Sequence, residues 1–427
     1  MKTRMTLPRA VLLALLAVVA VLAVLNLFGQ SEKQVRQSLV HSYDVADPQF
    51  VRVMGALLGP PLLSGNRAAT LLNGDEIFPA MLEAIRSARK TITFETYIYW
   101  RGEVGHEFAE ALSAKAREGV KVSVMLDWLG SNKMDQAMLD MMRQAGVRVE
   151  RYHALHWYTL DKLNNRTHRK LLVVDGRVGF TGGVGIADEW KGHAQDANHW
   201  RDTHYRIEGP AVAEMQAAFL DNWMKVTGEV LDGPGYFPPL ESVGPLVAQV
   251  FKSSRESGAE STHLMYLLSV TAAARSIDLE MAYFIPDDLA LDAIVKALKR
   301  GVHVRLIVPG PITDAESVRK AGKASWGAIL RAGAEIYEYQ PTMFHCKVLV
   351  VDGLWSSVGS TNFDNRSFRL NDEANLNIYD RDFAAQQETV FEQDLKRSRR
   401  VTLQEWENRS WTEKAWEKVV SVADGQL

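Results

Sequence analysis

The amino-acid sequence predicts an α/β protein built as two homologous α/β/α halves that share one site at their interface, preceded by one N-terminal transmembrane helix. Three observations carry this expectation. An unbroken apolar run lies near the N-terminus. A long segment of the chain returns, recognisably, about 180 residues later. Within each copy, short β-branched runs alternate with longer helical patterns, as α/β layers around a sheet require.

The 427 residues have room for two or three domains at roughly 150 residues each. With 47% hydrophobic and 24% charged residues the composition is globular and leaves little for disordered or collagen-like stretches. Forty-nine Lys and Arg against 52 Asp and Glu leave a formal charge of -3, so the bulk charge supplies no field for gathering polyanions, and no nucleic-acid partner is expected. A single cysteine, Cys346, excludes an intrachain disulfide and any site that needs two thiolates.

The first element is the run from Ala10 to Phe28, whose only polar member is Asn26. As a helix it would span about 28 Å, the depth of a bilayer core. It exceeds the apolar core of a cleaved signal peptide, so a retained anchor at residues 10–28 is expected, although Gly29-Gln30-Ser31 offers a small-x-small cleavage site. Lys2, Arg4 and Arg9 before the run, against Lys33 and Arg36 after it, favour a cytoplasmic N-terminus with the body on the other side.

The repeat follows. Ile92 to Tyr97 returns as Ile277 to Ala282, and Gly119 to Val124 as Gly301 to Leu306. Helical patterns at Glu107 to Glu118 and Leu289 to Lys299 sit between such strands. Gly233-Pro234-Gly235-Tyr236-Phe237-Pro238-Pro239 breaks every period and reads as the linker. The first half thus covers 45–230, the linker 231–244, the second half 245–400 and a helical tail 401–427. Trp406, Trp411 and Trp416 in the tail are expected to pack against the body.

The sharpest echo is His168-Arg169-Lys170-Leu171-Leu172-Val173-Val174-Asp175-Gly176 against His345-Cys346-Lys347-Val348-Leu349-Val350-Val351-Asp352-Gly353. Each reads as a strand entering a tight Asp-Gly hairpin. Side chains alternate along a strand, so His168 and Lys170 share a face, as do His345 and Lys347, while Asp175 and Asp352 have the opposite parity. The two aspartates are therefore structural members of the motif, and Cys346 is a buried filler. A small-residue loop follows each copy, Gly182-Gly183-Val184-Gly185 and Gly359-Ser360-Thr361-Asn362. Gly183, Ser360 and Asn362 are expected to contact an anionic group through backbone or side-chain donors. Further on, Asp202 of the first copy matches Glu373 of the second, so each half carries one histidine, one lysine and one acid. An acid that binds one imidazole nitrogen fixes the tautomer and leaves the other nitrogen for chemistry.

Cleaving a phosphodiester needs cations on its non-bridging oxygens, an in-line nucleophile and an acid for the leaving oxygen. Two opposed half-sites supply all three: one histidine to attack, one to protonate, and Lys170 with Lys347 between them. No Cys, His or carboxylate spacing points to a metal, and no cofactor is expected.

These duplicated segments and loops resemble the phospholipase D superfamily from about residue 70 to 400. Glu280 to Pro286, Trp200-Arg201-Asp202-Thr203 and Gly209-Pro210-Ala211-Val212 leading to Phe219 and Trp223 are similar to its bacterial cardiolipin synthase branch. The resemblance implies a phosphatidyl-histidine intermediate on His168, with His345 as acid and then base, and Asp202 and Glu373 orienting the histidines. It also implies phospholipid substrates and an anchored transferase at the bacterial cell membrane. One departure is Gly185, where the family pattern has Asn. Phospholipid hydrolysis to phosphatidic acid, a nuclease of the same superfamily and an inactive membrane scaffold are the alternatives; no specific protein partner is inferable.

Overall fold

Both copies of the repeat contribute their strands to one continuous sheet. The computed structural model describes residues 35–154, 164–254 and 261–414, together with Val11, Leu12 and Leu15. Apart from those three residues, the expected anchor at 10–28 and its first flank lie outside the described residues. Among the described residues no helix is long and apolar enough to cross a membrane.

Helix α1 (Pro48–Leu58) is started by Asp47, whose carboxylate accepts the Gln49 N–H. The first half then runs β1 (Leu63–Leu72), α2 (Asn73–Ser87), β2 (Thr91–Thr96), α3 (Glu103–Arg117), β3 (Lys121–Asp127), α4 (Gln136–Gln144), β4 (Arg148–Tyr152), β5 (Leu171–Val174), β6 (Val178–Gly182), β7 (Thr203–Glu208) and α5 (Val212–Thr227). The second runs β8 (Leu246–Ser253), α6 (Ser261–Thr271), β9 (Ser276–Met281), β10 (Phe284–Ile285), α7 (Asp288–Lys299), β11 (His303–Pro309), α8 (Glu316–Arg331), β12 (Glu335–Tyr339), β13 (Lys347–Val351), β14 (Trp355–Gly359), β15 (Phe363–Asp364), α9 (Asn365–Arg369), β16 (Glu373–Tyr379), α10 (Arg381–Leu395), β17 (Ser398–Val401) and α11 (Leu403–Glu407).

The main sheet has 15 strands in the order β17-β12-β11-β9-β13-β14-β16-β8-β1-β7-β6-β5-β2-β3-β4, and β10 pairs separately with β15. Read outward from the β8–β1 junction, the two sides carry the same sequence of equivalent strands, with β17 as an extra edge. The halves are thus related by a pseudo-two-fold through that junction, where β1 and β8 run antiparallel. On each side the outer strands are parallel (β2–β3–β4 and β9–β11–β12) and the inner ones antiparallel. Strands β5 and β13 are buried on both faces, which explains their unbroken apolar runs.

Helices α2, α3 and α4 cover one face of the first half with Phe78, Phe108, Met138 and Met142. Helices α6, α7 and α8 do the same for the second half with Met265, Ile294 and Trp326. On the opposite face α5 brings Met215, Phe219 and Trp223 into a core that also contains Val350, Leu376 and Phe383 of the second half. At about 1.5–3 kcal/mol per buried large side chain, this shared core binds the halves strongly.

The Asp-Gly hairpins form with both central residues left-handed: Asp175 at φ 52° and Gly176 at 63°, Asp352 at 56° and Gly353 at 59°. The Asp175 carboxylate accepts the N–H groups of Arg89, Lys90 and Thr91; that of Asp352 accepts those of Ala274, Arg275 and Ser276. Each hairpin is thereby tied to the start of β2 or β9.

Two boundaries depart from expectation: the motif strands begin at Leu171 and Lys347 and not at His168 and His345, where the chain just ahead of each bridges to the other half, Thr167 to Asp372 and Phe344 to Arg201. In the tail, Trp406 packs on α8, donating its indole N–H to the Lys323 carbonyl. Trp411 is 79% exposed, contrary to its expected packing, and Trp416 lies outside the described residues.

Candidate active site

His168, Lys170, His345 and Asn362 line one cavity of about 660 Å³, together with Tyr97 and Tyr283. The alternation that puts His168 and Lys170 on one face delivers both to this cavity. Its two sides are built by the same device. The His168 N–H donates to the Asp372 carbonyl at 2.9 Å, and the His345 N–H donates to the Arg201 carbonyl at 2.8 Å. Asp372 and Arg201 immediately precede the two acids, so one backbone hydrogen bond sets each histidine against the acid of the opposite half.

The acids are accordingly exchanged between the copies. Glu373 binds His168 Nδ1 at 3.0 Å, and Asp202 binds His345 Nδ1 at 2.8 Å. Each carboxylate holds the proton on Nδ1 and leaves Nε2 as the remaining ring nitrogen. Glu373 also accepts from Ser360 Oγ at 2.5 Å and Ser367 Oγ at 2.8 Å; Asp202 accepts from the Trp190 indole at 2.9 Å and the Thr203 N–H at 2.8 Å. Lys170 Nζ donates to the His168 carbonyl at 2.9 Å and Lys347 Nζ to the His345 carbonyl at 2.7 Å.

Burial dominates the electrostatics of the four basic groups. It pushes the His168 imidazole down to about 4 against the attraction of Glu373, and burial with the neighbouring Lys347 also lowers His345. Burial pushes Lys170 down to about 7 and lowers Lys347. For Asp202 burial acts upward, yet His345 and Lys347 more than offset it and hold the carboxyl below its usual range. The same balance holds Glu373 down, with His168, Lys170 and Ser360 opposing burial. At neutral pH the site therefore carries a neutral His168 imidazole against ionised carboxylates.

Two expected anion contacts come out differently. The Gly183 N–H is committed to the Thr203 carbonyl at 3.1 Å. Its smallness serves Asp202, since a Cβ there would stand 2.2 Å from the carboxylate. Ser360 spends its hydroxyl on Glu373, so it supports an acid and is not aimed at a phosphate. Asn362 does line the cavity, and its Oδ1 has no partner among the described residues. Asp175, Asp352 and Cys346 stay out of the cavity lining.

Residues not singled out from the sequence include Tyr97, edge-on to His168 at 5.3 Å; Trp190, edge-on to His345 at 5.4 Å; and Arg166, Arg366 and Asp314 in the wall. Arg166 was legible, because it shares the parity of His168 and Lys170. Trp190 carried no local signal. Ahead of His168, His153 stacks on Tyr152, and His156, Trp157 and Tyr158 lie outside the described residues. Beneath the site, ligand atoms of Glu280, Cys346 and Asp394 lie within 4.8 Å of one another. The cation already fixed there is Arg201, which grips Asp394 through Nε at 2.9 Å and Nη2 at 2.7 Å. Burial, and then the charge of Asp394, drive Glu280 well above the usual carboxyl range.

The family model described as "Cardiolipin synthase, PLD-like domain" matches residues 81–223 and 267–395. A cardiolipin synthase A of Pseudomonas syringae pv. syringae is 35% identical over 358 residues, covering 83% of this chain and 74% of that protein. A cardiolipin synthase of Geobacillus kaustophilus is 34% identical over 362 residues, covering 84% and 72%. Among solved structures, a phosphatidylserine synthase of Haemophilus influenzae superposes with TM-score 0.70 at 16% identity, covering 89% of this chain and all of that one. A polyphosphate kinase of Porphyromonas gingivalis gives 0.52 at 12% identity, covering 93% and 57%. These two likenesses concern the fold.

Proposed function

Since the chain belongs to the cardiolipin synthase, PLD-like domain family, we propose that it is a phosphatidyltransferase that joins two glycerophospholipids, with phosphatidylglycerol as donor and acceptor. His168 Nε2 attacks the donor phosphorus; a P–N bond forms as the P–O bond to glycerol breaks, and His345, which enters the step as the imidazolium, gives its Nε2 proton to the leaving oxygen. The hydroxyl of the second lipid then attacks the phosphorus, its proton passes to His345, and the P–N bond breaks. Lys170 and Lys347 neutralise the non-bridging oxygens, with Asn362 as a further contact. Glu373 orients His168 and Asp202 orients His345. The run at 10–28 would hold this cavity at the bacterial cell membrane, with the body on the non-cytoplasmic side, where acceptor lipid is dense and water scarce.

The observation that carries the reading is the pair of buried imidazoles in one cavity, each tied through Nδ1 to a carboxylate of the opposite half. The test is to incubate the purified full chain with labelled phosphatidylglycerol in detergent micelles and to separate the products. A lipid with two phosphates is expected. His168→Ala and His345→Ala should each reduce its formation at least about a thousandfold. Phosphatidic acid as sole product would make the protein a hydrolase, and full activity in both variants would overturn the mechanism.

A further inference from the structure

The pseudo-two-fold makes the two ends of the cavity comparable residue by residue, and their charges are opposite. Two positions ahead of His168 stands Arg166; two ahead of His345 stands Met343. At the position equivalent to Glu189 of the first copy, the second copy has Arg366. Both arginines line the cavity and lie close enough to repel one another. They sit at the His168 end, where both also act on Tyr97, the ring edge-on to His168. At the other end stands Glu189, next to the Trp190 that meets His345; Asp314, which accepts from the Tyr283 hydroxyl at 2.6 Å, acts on both His345 and Tyr97.

Arg166 is a buried cation aimed at the cavity, 7% exposed, and its Nε has no partner among the described residues. Among the described residues its one side-chain hydrogen bond is a long one, from Nη1 to the Asn165 carbonyl at 3.4 Å. Asp127 attracts it, yet both oxygens of that carboxylate are occupied by the N–H groups of Leu129, Gly130 and Thr167. Arg366 is braced by Asn164, through Oδ1 at 3.0 Å and the carbonyl at 3.2 Å, and Asp364 near it is pushed by burial up to about 7. Two like-charged guanidiniums in the cavity wall, one buried and one half-buried, ask for an anion with several acceptor oxygens.

We propose that Arg166 and Arg366 form a second anion subsite that holds the phosphodiester of the acceptor phospholipid. This rests on the transferase reading above. The transferred phosphoryl group has Lys170 and Lys347; the acceptor brings a phosphate of its own, three glycerol carbons away from the hydroxyl that attacks. When that oxygen bonds to phosphorus, the P–N bond breaks and the hydroxyl proton goes to His345. Water and free glycerol lack the distal phosphate, so the subsite selects a phospholipid over both.

The test compares two acceptors for the same phosphatidyl donor, phosphatidylglycerol in micelles and labelled free glycerol, and reads the ratio of the two transfers. Arg366→Gln and Arg166→Met should each lower that ratio at least tenfold, through a raised KM for the lipid acceptor. Arg366→Lys, which keeps the charge but loses the planar fork toward Asn164, should stay within threefold. An unchanged ratio in Arg366→Gln overturns the subsite. A ratio that falls as far in Arg366→Lys overturns it too, since bracing of Asn164 would then be the residue's role. If the unaltered protein transfers to glycerol and never to phosphatidylglycerol, the transferase reading itself fails and takes the subsite with it.

Discussion

At the scale of single residues, burial tunes the histidines and lysines of the site more than pairing does. Lys170 is a cation below about 7 and a neutral amine above it, because desolvation outweighs the attraction of Glu373. His168 is a neutral base above about 4. For free enzyme, kcat/KM should therefore rise as pH passes 4 and fall toward and beyond 7, as the imidazolium of His345, itself lowered by burial, and the positive charge of Lys170 are both lost. Initial rates between pH 4 and 9 at substrate far below KM check this, and a profile flat from 6 to 9 would contradict it. The alternation of the motif made His168, Lys170, His345 and Lys347 legible from sequence. It could not distribute the acids, since Glu373 meets a histidine 205 positions away and only docking of the copies selects it. Nor could it show that Ser360 serves Glu373, because a hydroxyl's choice between acid and ligand is settled by distances of a few tenths of an ångström.

Among the elements, the hairpins show how a motif aspartate acts away from the chemistry. Asp175 collects three backbone N–H groups at the start of β2, where strand and hairpin must lock in register. Asp175→Asn keeps the shape but removes the charge, and should cost about 1–3 kcal/mol in chemical denaturation, with the activity of the folded fraction unchanged. A large loss of activity without loss of stability would place Asp175 in the chemistry instead. Strands and hairpin turns were readable because β-branched runs and Asp-Gly pairs are local signals. The true start of β5 was not, because Thr167 pairs with the far half.

For the whole molecule, the repeat announced two similar units, but no local pattern could say that β1 and β8 would splice them into one sheet. Their contact is also guarded by buried charge. Arg201 of the first half grips Asp394 of the second, both almost fully enclosed. Arg201→Leu strands that carboxylate and should cost about 3–5 kcal/mol, and adding Asp394→Leu should recover most of it. Equal stability of the single variant and the unaltered protein would show that the pair holds nothing together.

The exchange of acids also governs when the protein becomes dangerous to its surroundings. A ribosome that has released only the first copy presents His168 with no carboxylate to fix its tautomer, while Asp202 waits for a ring not yet made. Reactivity toward lipid headgroups thus arrives in one step, late in synthesis, when the second copy docks and both rings are dressed together.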